Sequence, residues 1–382
     1  MSEIQTKLCL AWFIARDTVP HTTAHRYKMK IGKLRRMTSM IFLLCLLTLL
    51  CLTACYASQP QGQESLKEQS LSQRMRRRSR VNLNQDMVLR TLYNQGLERS
   101  YYLYTPDSDT TDRPMPLLLA FHGGVGQGDT MAAKTGFNDL ADREDFLVVY
   151  PNGINLGAAG GQWNDGRNTP EVHPEIDDVA FVRAVIEDVE KLRNVDRKRI
   201  YVTGGSNGGF FAQRLGCEMA NQIAAIASVS STMAKSLESR CRPQRPIPIL
   251  MINGTEDRLV PWVGGEMTVG ARGEILSVPE TVAFWRKNNG CSATPKEERL
   301  PDMEQDGTTV VSYQYSGCHQ NATVMLYRIE GGGHGWPGGR IMRRANQNDF
   351  SNRDHKNLVG KNSQAINASE VVWKFLQQFT LP

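Results

Sequence analysis

Ser206 lies in Gly204-Gly205-Ser206-Asn207-Gly208-Gly209, directly after the β-rich run Arg199–Thr203 and before a stretch with helical spacing. In a G-x-S-x-G segment between strand and helix, the serine sits on a sharp, strained turn, and the glycines allow chain and helix to approach. Its hydroxyl would project at the end of the sheet as a nucleophile. A phosphate-binding loop would need Lys and then Ser or Thr after the last glycine, but Phe210-Phe211 follows instead.

A serine hydroxyl needs a positioned base. Seven histidines are available. His21 and His25 fall near the start, His173 and His355 in polar stretches, and His319 beside Cys318. His334 stands in Gly331-Gly332-Gly333-His334-Gly335-Trp336-Pro337-Gly338-Gly339, after the run Val324–Ile329. A loop with so few side chains presents a histidine rather than packing it, which makes His334 the candidate base. An acid must fix the imidazole's tautomer and balance its charge. Asp257 is the candidate, with Glu256 as the neighbour that could be mistaken for it; both follow the run Ile247–Ile252. The oxyanion needs preorganised donors. One is expected from the backbone N–H of Asn207, the other from Gly124 in the loop His122-Gly123-Gly124-Val125-Gly126.

The elements that must carry these residues follow from hydrophobic patterning. Met87–Tyr93 and Arg99–Tyr104 flank Asn94-Gln95-Gly96 and read as a hairpin. Pro116–Phe121 and Phe146–Tyr150 are continuous apolar runs, typical of strands buried on both faces. Ile223–Val229, Ile247–Ile252, Val310–Tyr315 and Val324–Ile329 read as further strands. Helical spacing runs over Thr130–Arg143, Asp178–Leu192 (N-cap Asp177 or Asp178), Asn207–Cys217, Val278–Asn289 and Ala368–Phe379. Asn367 and Glu370 could form a capping box for the last. Strands alternating with helices predict an α/β fold: a mostly parallel central sheet with helices on both faces. Ligands of such sheets bind beyond the carboxyl ends of the strands, where each candidate residue falls.

The chain order Ser206, Asp257, His334 is that of α/β-hydrolases. With it stand Phe121-His122-Gly123-Gly124, Tyr150-Pro151-Asn152-Gly153, Trp163-Asn164, Asp177-Asp178-Val179, Gly254-Thr255 with Asp257 and Val260-Pro261, and Trp336-Pro337-Gly338-Gly339. In these motifs, spread over roughly residues 86–380, the chain resembles α/β-hydrolase esterases of the polyhydroxybutyrate depolymerase and feruloyl esterase type, including bacterial lipoprotein members. The resemblance implies an α/β-hydrolase fold, Ser206, Asp257 and His334 as the triad, and secreted hydrolysis of an ester through an acyl-enzyme. The ester could be a small molecule, an oligosaccharide or a polyester. A feruloyl or acetyl-xylan type esterase is expected, with a polyhydroxyalkanoate depolymerase as the alternative. A peptidase of this fold and a non-catalytic binding lipoprotein are the rivals from other classes. The resemblance also suggests Trp163 and Trp336 as walls of the acyl or aryl cleft. His122 is grouped with them on the substrate side, as a brace of the oxyanion loop. Two departures are noted: family members often carry Cys where Gly124 stands, and Arg340–Lys361 is long, polar and basic, which leaves open whether it forms a lid.

Charge and cysteines bound the rest. Residues 1–54 hold eight of the 45 Lys and Arg and two of the 39 Asp and Glu, which leaves 37 of each sign beyond them. The net charge of +6 therefore belongs to the leader, and the balanced body gives no electrostatic footprint for nucleic acid. Met37–Ala54 carries no charge and follows Lys28, Lys30, Lys33, Arg35 and Arg36, as in an export signal. Its apolar run is short of the ~20 residues of a membrane span. Leu52-Thr53-Ala54-Cys55 resembles a bacterial lipobox, which makes Cys55 a lipidation site and the membrane a partner. The expected organisation is a leader over 1–54 (starting at Met29 or Met37), a flexible tether over 55–85, and a catalytic domain over 86–382. Four cysteines remain in the body, Cys217, Cys241, Cys291 and Cys318, and three pairings are open to them. Cys217–Cys241 and Cys291–Cys318 are expected, because each closes a short loop and the resemblance implies similar pairs. No CxxC or HExxH occurs, so neither a metal nor a cofactor is expected.

Overall fold

A computed structural model describes residues 87–109, 112–155, 161–267, 272–301, 304–340 and 357–382. The leader, the tether, Cys55 and most of Arg340–Lys361 lie outside the described residues.

The expected hairpin forms as β1 (Met87–Asn94) and β2 (Leu97–Tyr104), turning at Gln95 and Gly96. β3 (Met115–Phe121), β4 (Leu147–Pro151), β5 (Val195–Gly205), β6 (Ala225–Val229) and β7 (Ile249–Gly254) follow. β8 (Gly265–Met267) and β9 (Gly273–Ile275) form a separate two-stranded ribbon. β10 (Lys296–Arg299), β11 (Thr309–Tyr315) and β12 (Val324–Glu330) complete the main sheet, whose order is β1-β2-β4-β3-β5-β6-β7-β12-β11-β10. From β4 to β12 all neighbours pair in parallel; the pairs at both edges are antiparallel.

The apolar runs of the central strands explain the layering, since successive side chains point to opposite faces. Leu117, Leu119, Phe121, Val202 and Met251 enter one core with α3 (Asp178–Leu192), α4 (Asn207–Glu218) and α5 (Val278–Asn288); earlier in the chain come α1 (Gly128–Thr135) and α2 (Phe137–Glu144). Leu118, Ala120, Val148, Leu250 and Ile252 enter a second core with α1, α2 and α6 (Ala368–Leu376). Helices therefore cover both faces, as the alternation of elements predicts.

Three expectations on the helices are refined. The single helix over Thr130–Arg143 is two, because Gly136 adopts φ 67 and ends α1 in a left-handed cap. Asp177 is the N-cap of α3, its carboxylate accepting the Ala180 N–H. The capping box of α6 is only half made: Asn367 accepts from Ser369 and Glu370, but the Glu370 carboxylate pairs with Arg143 on α2. The four body cysteines form Cys217–Cys241 and Cys291–Cys318, with sequence separations of 24 and 27. Closing loops of that size removes about 3 kcal/mol of chain entropy per bond from the unfolded state. No helix among the described residues is long and apolar enough to cross a membrane.

Candidate active site

The turn after β5 places Ser206 at φ 55, ψ −125, a conformation that is strained for any residue with a Cβ. The surroundings hold it there. Its N–H donates to the Val229 carbonyl on β6, and its own carbonyl accepts from Gly209 and Phe210 in the first turn of α4. The crossing needs bare backbone: a Cβ on Gly208 would stand 2.4 Å from the carbonyl oxygens of Phe121 and His122. Ser206 is partly exposed, and Asn207 begins α4, so its N–H has no acceptor within the helix.

The loop after β3 lies over this turn. A Cβ built on Gly123 would be 3.2 Å from Ser206 Cβ and 3.8 Å from its Oγ, and one on Gly124 would meet the Gln162 side chain at 3.1 Å. The Gly126 N–H closes a tight turn onto the Gly123 carbonyl, with Val125 at φ 58. The Asn207 side chain is clamped as well. Its Oδ1 accepts the Trp163 N–H at 2.9 Å, and its Nδ2 donates to Asp165 Oδ2 at 2.6 Å. Arg167 pairs with Asp165 and neutralises this buried carboxylate.

On the other side, the loops after β7 and β12 are joined through their backbones. The Thr255 N–H donates to the Ile329 carbonyl and the Glu256 N–H to that of Gly332. A Cβ on Gly254 would be 2.2 Å from the Gly332 oxygen, so only glycine fits there. This union sets His334 Nδ1 at 2.8 Å from Asp257 Oδ2. Asp257 Oδ1 accepts the N–H groups of Leu259 and Val260, and the residue is 5% exposed. Asp257, not its neighbour Glu256, therefore faces the imidazole. A carboxylate on Nδ1 favours the tautomer whose free Nε2 can accept a proton.

Other expected site residues take supporting positions. Trp163 and Trp336 are 0% and 1% exposed, so neither presents a wall to a ligand. Trp163 stacks on Phe211 with an interplanar angle of 4°, and its Nε1–H donates to the His122 carbonyl. Trp336 lies against the Gly205 backbone and donates Nε1–H to Ser369 Oγ. Both anchor the loops of the candidate site from beneath, because their ring areas are spent in the two cores. His122 also has no ring nitrogen to offer a ligand: Nε2 accepts the Gly153 N–H at 2.9 Å, and Nδ1 bonds the Gly123 carbonyl at 2.7 Å. These contacts tie the loop after β3 to the backbone at Gly153. His319 is exposed.

Burial pushes the His122 imidazole down to about 4. Above pH ~6.5 the ring is neutral in both the folded and the unfolded chain. Between about 6.5 and 4 only the unfolded chain takes up the proton, so stability falls as the pH drops through that window. The melting temperature should decline from pH 6.5 to 4, and the decline should be shallower in His122→Asn; equal slopes would show that the ring is not buried neutral.

Among the described residues no group of His, Cys, Asp and Glu could hold a metal ion. Comparison with known proteins finds esterases. The family model described as "Esterase PHB depolymerase" matches residues 99–244, a stretch that includes Ser206 but neither Asp257 nor His334. "Putative esterase NocK" of Nocardia uniformis subsp. tsuyamanensis is 30% identical over 259 residues, 65% of this chain and 74% of that protein. "Feruloyl esterase B" of Piromyces equi is 31% identical over 62% of this chain and 42% of its own length. "Bifunctional acetylxylan esterase/xylanase XynS20E" of Neocallimastix patriciarum is 28% identical over 63% of this chain and 31% of its own. The chain thus spans less than half the length of the latter two.

Proposed function

The chain belongs to the esterase PHB depolymerase family, and from that membership we propose that it hydrolyses carboxylic esters through an acyl-enzyme formed on Ser206. His334 Nε2 takes the Ser206 proton as Oγ attacks the ester carbonyl. The N–H groups of Asn207 and Gly124 hold the oxyanion, and Asp257 balances the imidazolium. When the tetrahedral intermediate collapses, the C–O bond to the alcohol breaks and His334 returns the proton to the leaving oxygen. Water then attacks the acyl-enzyme with His334 as base, releasing the acid and restoring Ser206. The observation that carries this reading is the hydrogen-bonded His334–Asp257 pair on a loop packed beside the strained Ser206 turn.

Feruloyl and acetyl-xylan type esters are the substrates favoured by the names of the relatives. A polyhydroxyalkanoate is the alternative that the family description favours. We also take the protein to be exported and lipid-anchored at Cys55; the leader pattern and two disulfides, which persist in oxidising compartments, support this. A fluorophosphonate probe should label the purified protein at Ser206, and a panel of feruloyl, acetyl-xylan and hydroxybutyrate esters should then rank the acyl groups. Absence of labelling would remove the acyl-enzyme. Labelling without turnover of any ester, but with cleavage of a matched amide, would replace the esterase by a peptidase.

A further inference from the structure

Beyond Ser206, Asp257 and His334, buried hydroxyls gather at the end of β6. Ser230, its next residue, is at φ 48 and 4% exposed, a left-handed conformation with no glycine to ease it. Its bonds and those of Val229 reach the Ser206 turn, β7 and the loop that carries His334. The Val229 carbonyl accepts the Ser206 N–H, and the Ser230 N–H donates to the Ile252 carbonyl on β7, the strand leading to Asp257. The Ser230 hydroxyl then reaches the base loop. Oγ donates to the Gly335 carbonyl at 2.7 Å and accepts the Gly335 N–H at 3.2 Å. One hydroxyl thus satisfies both main-chain groups of the residue that follows His334.

The neighbouring pins of that loop run elsewhere. The Gly333 N–H goes to the Lys361 carbonyl and the His334 N–H to that of Val359, both on the segment leading to α6. Asp257 fixes Nδ1 of the ring but belongs to the same zippered pair of loops. Asp257 therefore sets the angle of the ring within its own loops, while the Ser230 bonds tie those loops to the end of β6, whose Val229 carbonyl pins the Ser206 N–H.

We propose that Ser230 is a positioning residue, whose hydroxyl fixes where the His334 loop sits relative to the Ser206 turn by clamping both polar groups of Gly335. The proposal rests on the acyl-enzyme reading above. It explains why a strained, buried serine stands where glycine would fit the backbone better: glycine lacks the hydroxyl. Strain of this kind persists where the surrounding structure over-determines it.

The test separates the hydroxyl from the backbone. Ser230→Ala keeps the φ penalty and loses Oγ; Ser230→Gly loses Oγ and relieves the penalty. With p-nitrophenyl acetate, both should lower kcat by about 10²-fold, the effect of misplacing a reacting group by about 1 Å, with KM unchanged. Circular dichroism at the assay temperature should show both folded. Retention of wild-type kcat by either variant overturns the proposal. So does a loss confined to KM, or a loss in the alanine variant that the glycine variant lacks. Ser206→Ala in the same assay keeps the two readings apart: if that variant turns over normally, the acyl-enzyme reading falls and Ser230 with it. An inactive Ser206→Ala beside fully active Ser230 variants overturns the role of Ser230 alone.

Discussion

Ser206→Ala is expected to lower kcat for a simple ester by about 10⁶-fold, because a nucleophile and base that act as a unit lose nearly everything when either is removed. The residue's environment sharpens the expectation. Its main chain is fixed by Val229 on one side and by the first turn of α4 on the other, so the substitution removes only the oxygen. The positive φ is retained by alanine, and the fold should survive with little change in melting temperature. Substrate should still bind, since Gly123 and Gly124 approach the turn through backbone and need nothing from Oγ. Turnover within tenfold of wild type would assign the nucleophile elsewhere.

The second large effect belongs to Asp257→Asn, expected at about 10⁴-fold in kcat with KM little altered. The amide is nearly isosteric, and its oxygen can still accept from Leu259 and Val260. Its NH₂ would then face His334 Nδ1, which must become the acceptor. That forces the ring proton onto Nε2, the atom proposed above to receive the Ser206 proton. Geometry survives while the tautomer is wrong, so crystallographic order with little activity is the signature. Glu256→Gln is the matched control: that residue meets the base loop through its backbone N–H, and kcat should stay at the wild-type level. A fall of equal size in both variants would mean that charge in the loop, not the tautomer, governs the rate.

The candidates are legible in the sequence for a physical reason. Each follows an apolar run, and Ser206 and His334 sit among glycines, whose absence of side chains marks places where backbone must approach backbone. The central strands are legible because burial on both faces leaves no polar interruption. Legibility fails where that signal is missing. β10 is Lys-Glu-Glu-Arg, exposed throughout, and joins the sheet by backbone pairing with β11 alone. β5 begins at Val195, through charged residues that do not read as strand. The break at Gly136 is hidden because helical spacing continues on both sides of it. The resemblance suggests Trp163 and Trp336 as cleft residues, but motifs cannot say which face of a loop is covered, and the two cores claim them. Ser230 is invisible in Ser228-Val229-Ser230-Ser231; only its dihedral and its bonds to Gly335 single it out.

The zipper between the loops that carry Asp257 and His334 has a consequence for adaptability. Its bonds at Thr255 and Glu256 run between main-chain atoms, so they do not depend on which side chains surround them. Substitutions among the side chains around these loops should therefore leave the Asp257–His334 pairing in place. Tolerance to change then ends at the seam itself, where Gly254 and Gly333 leave no room for a Cβ.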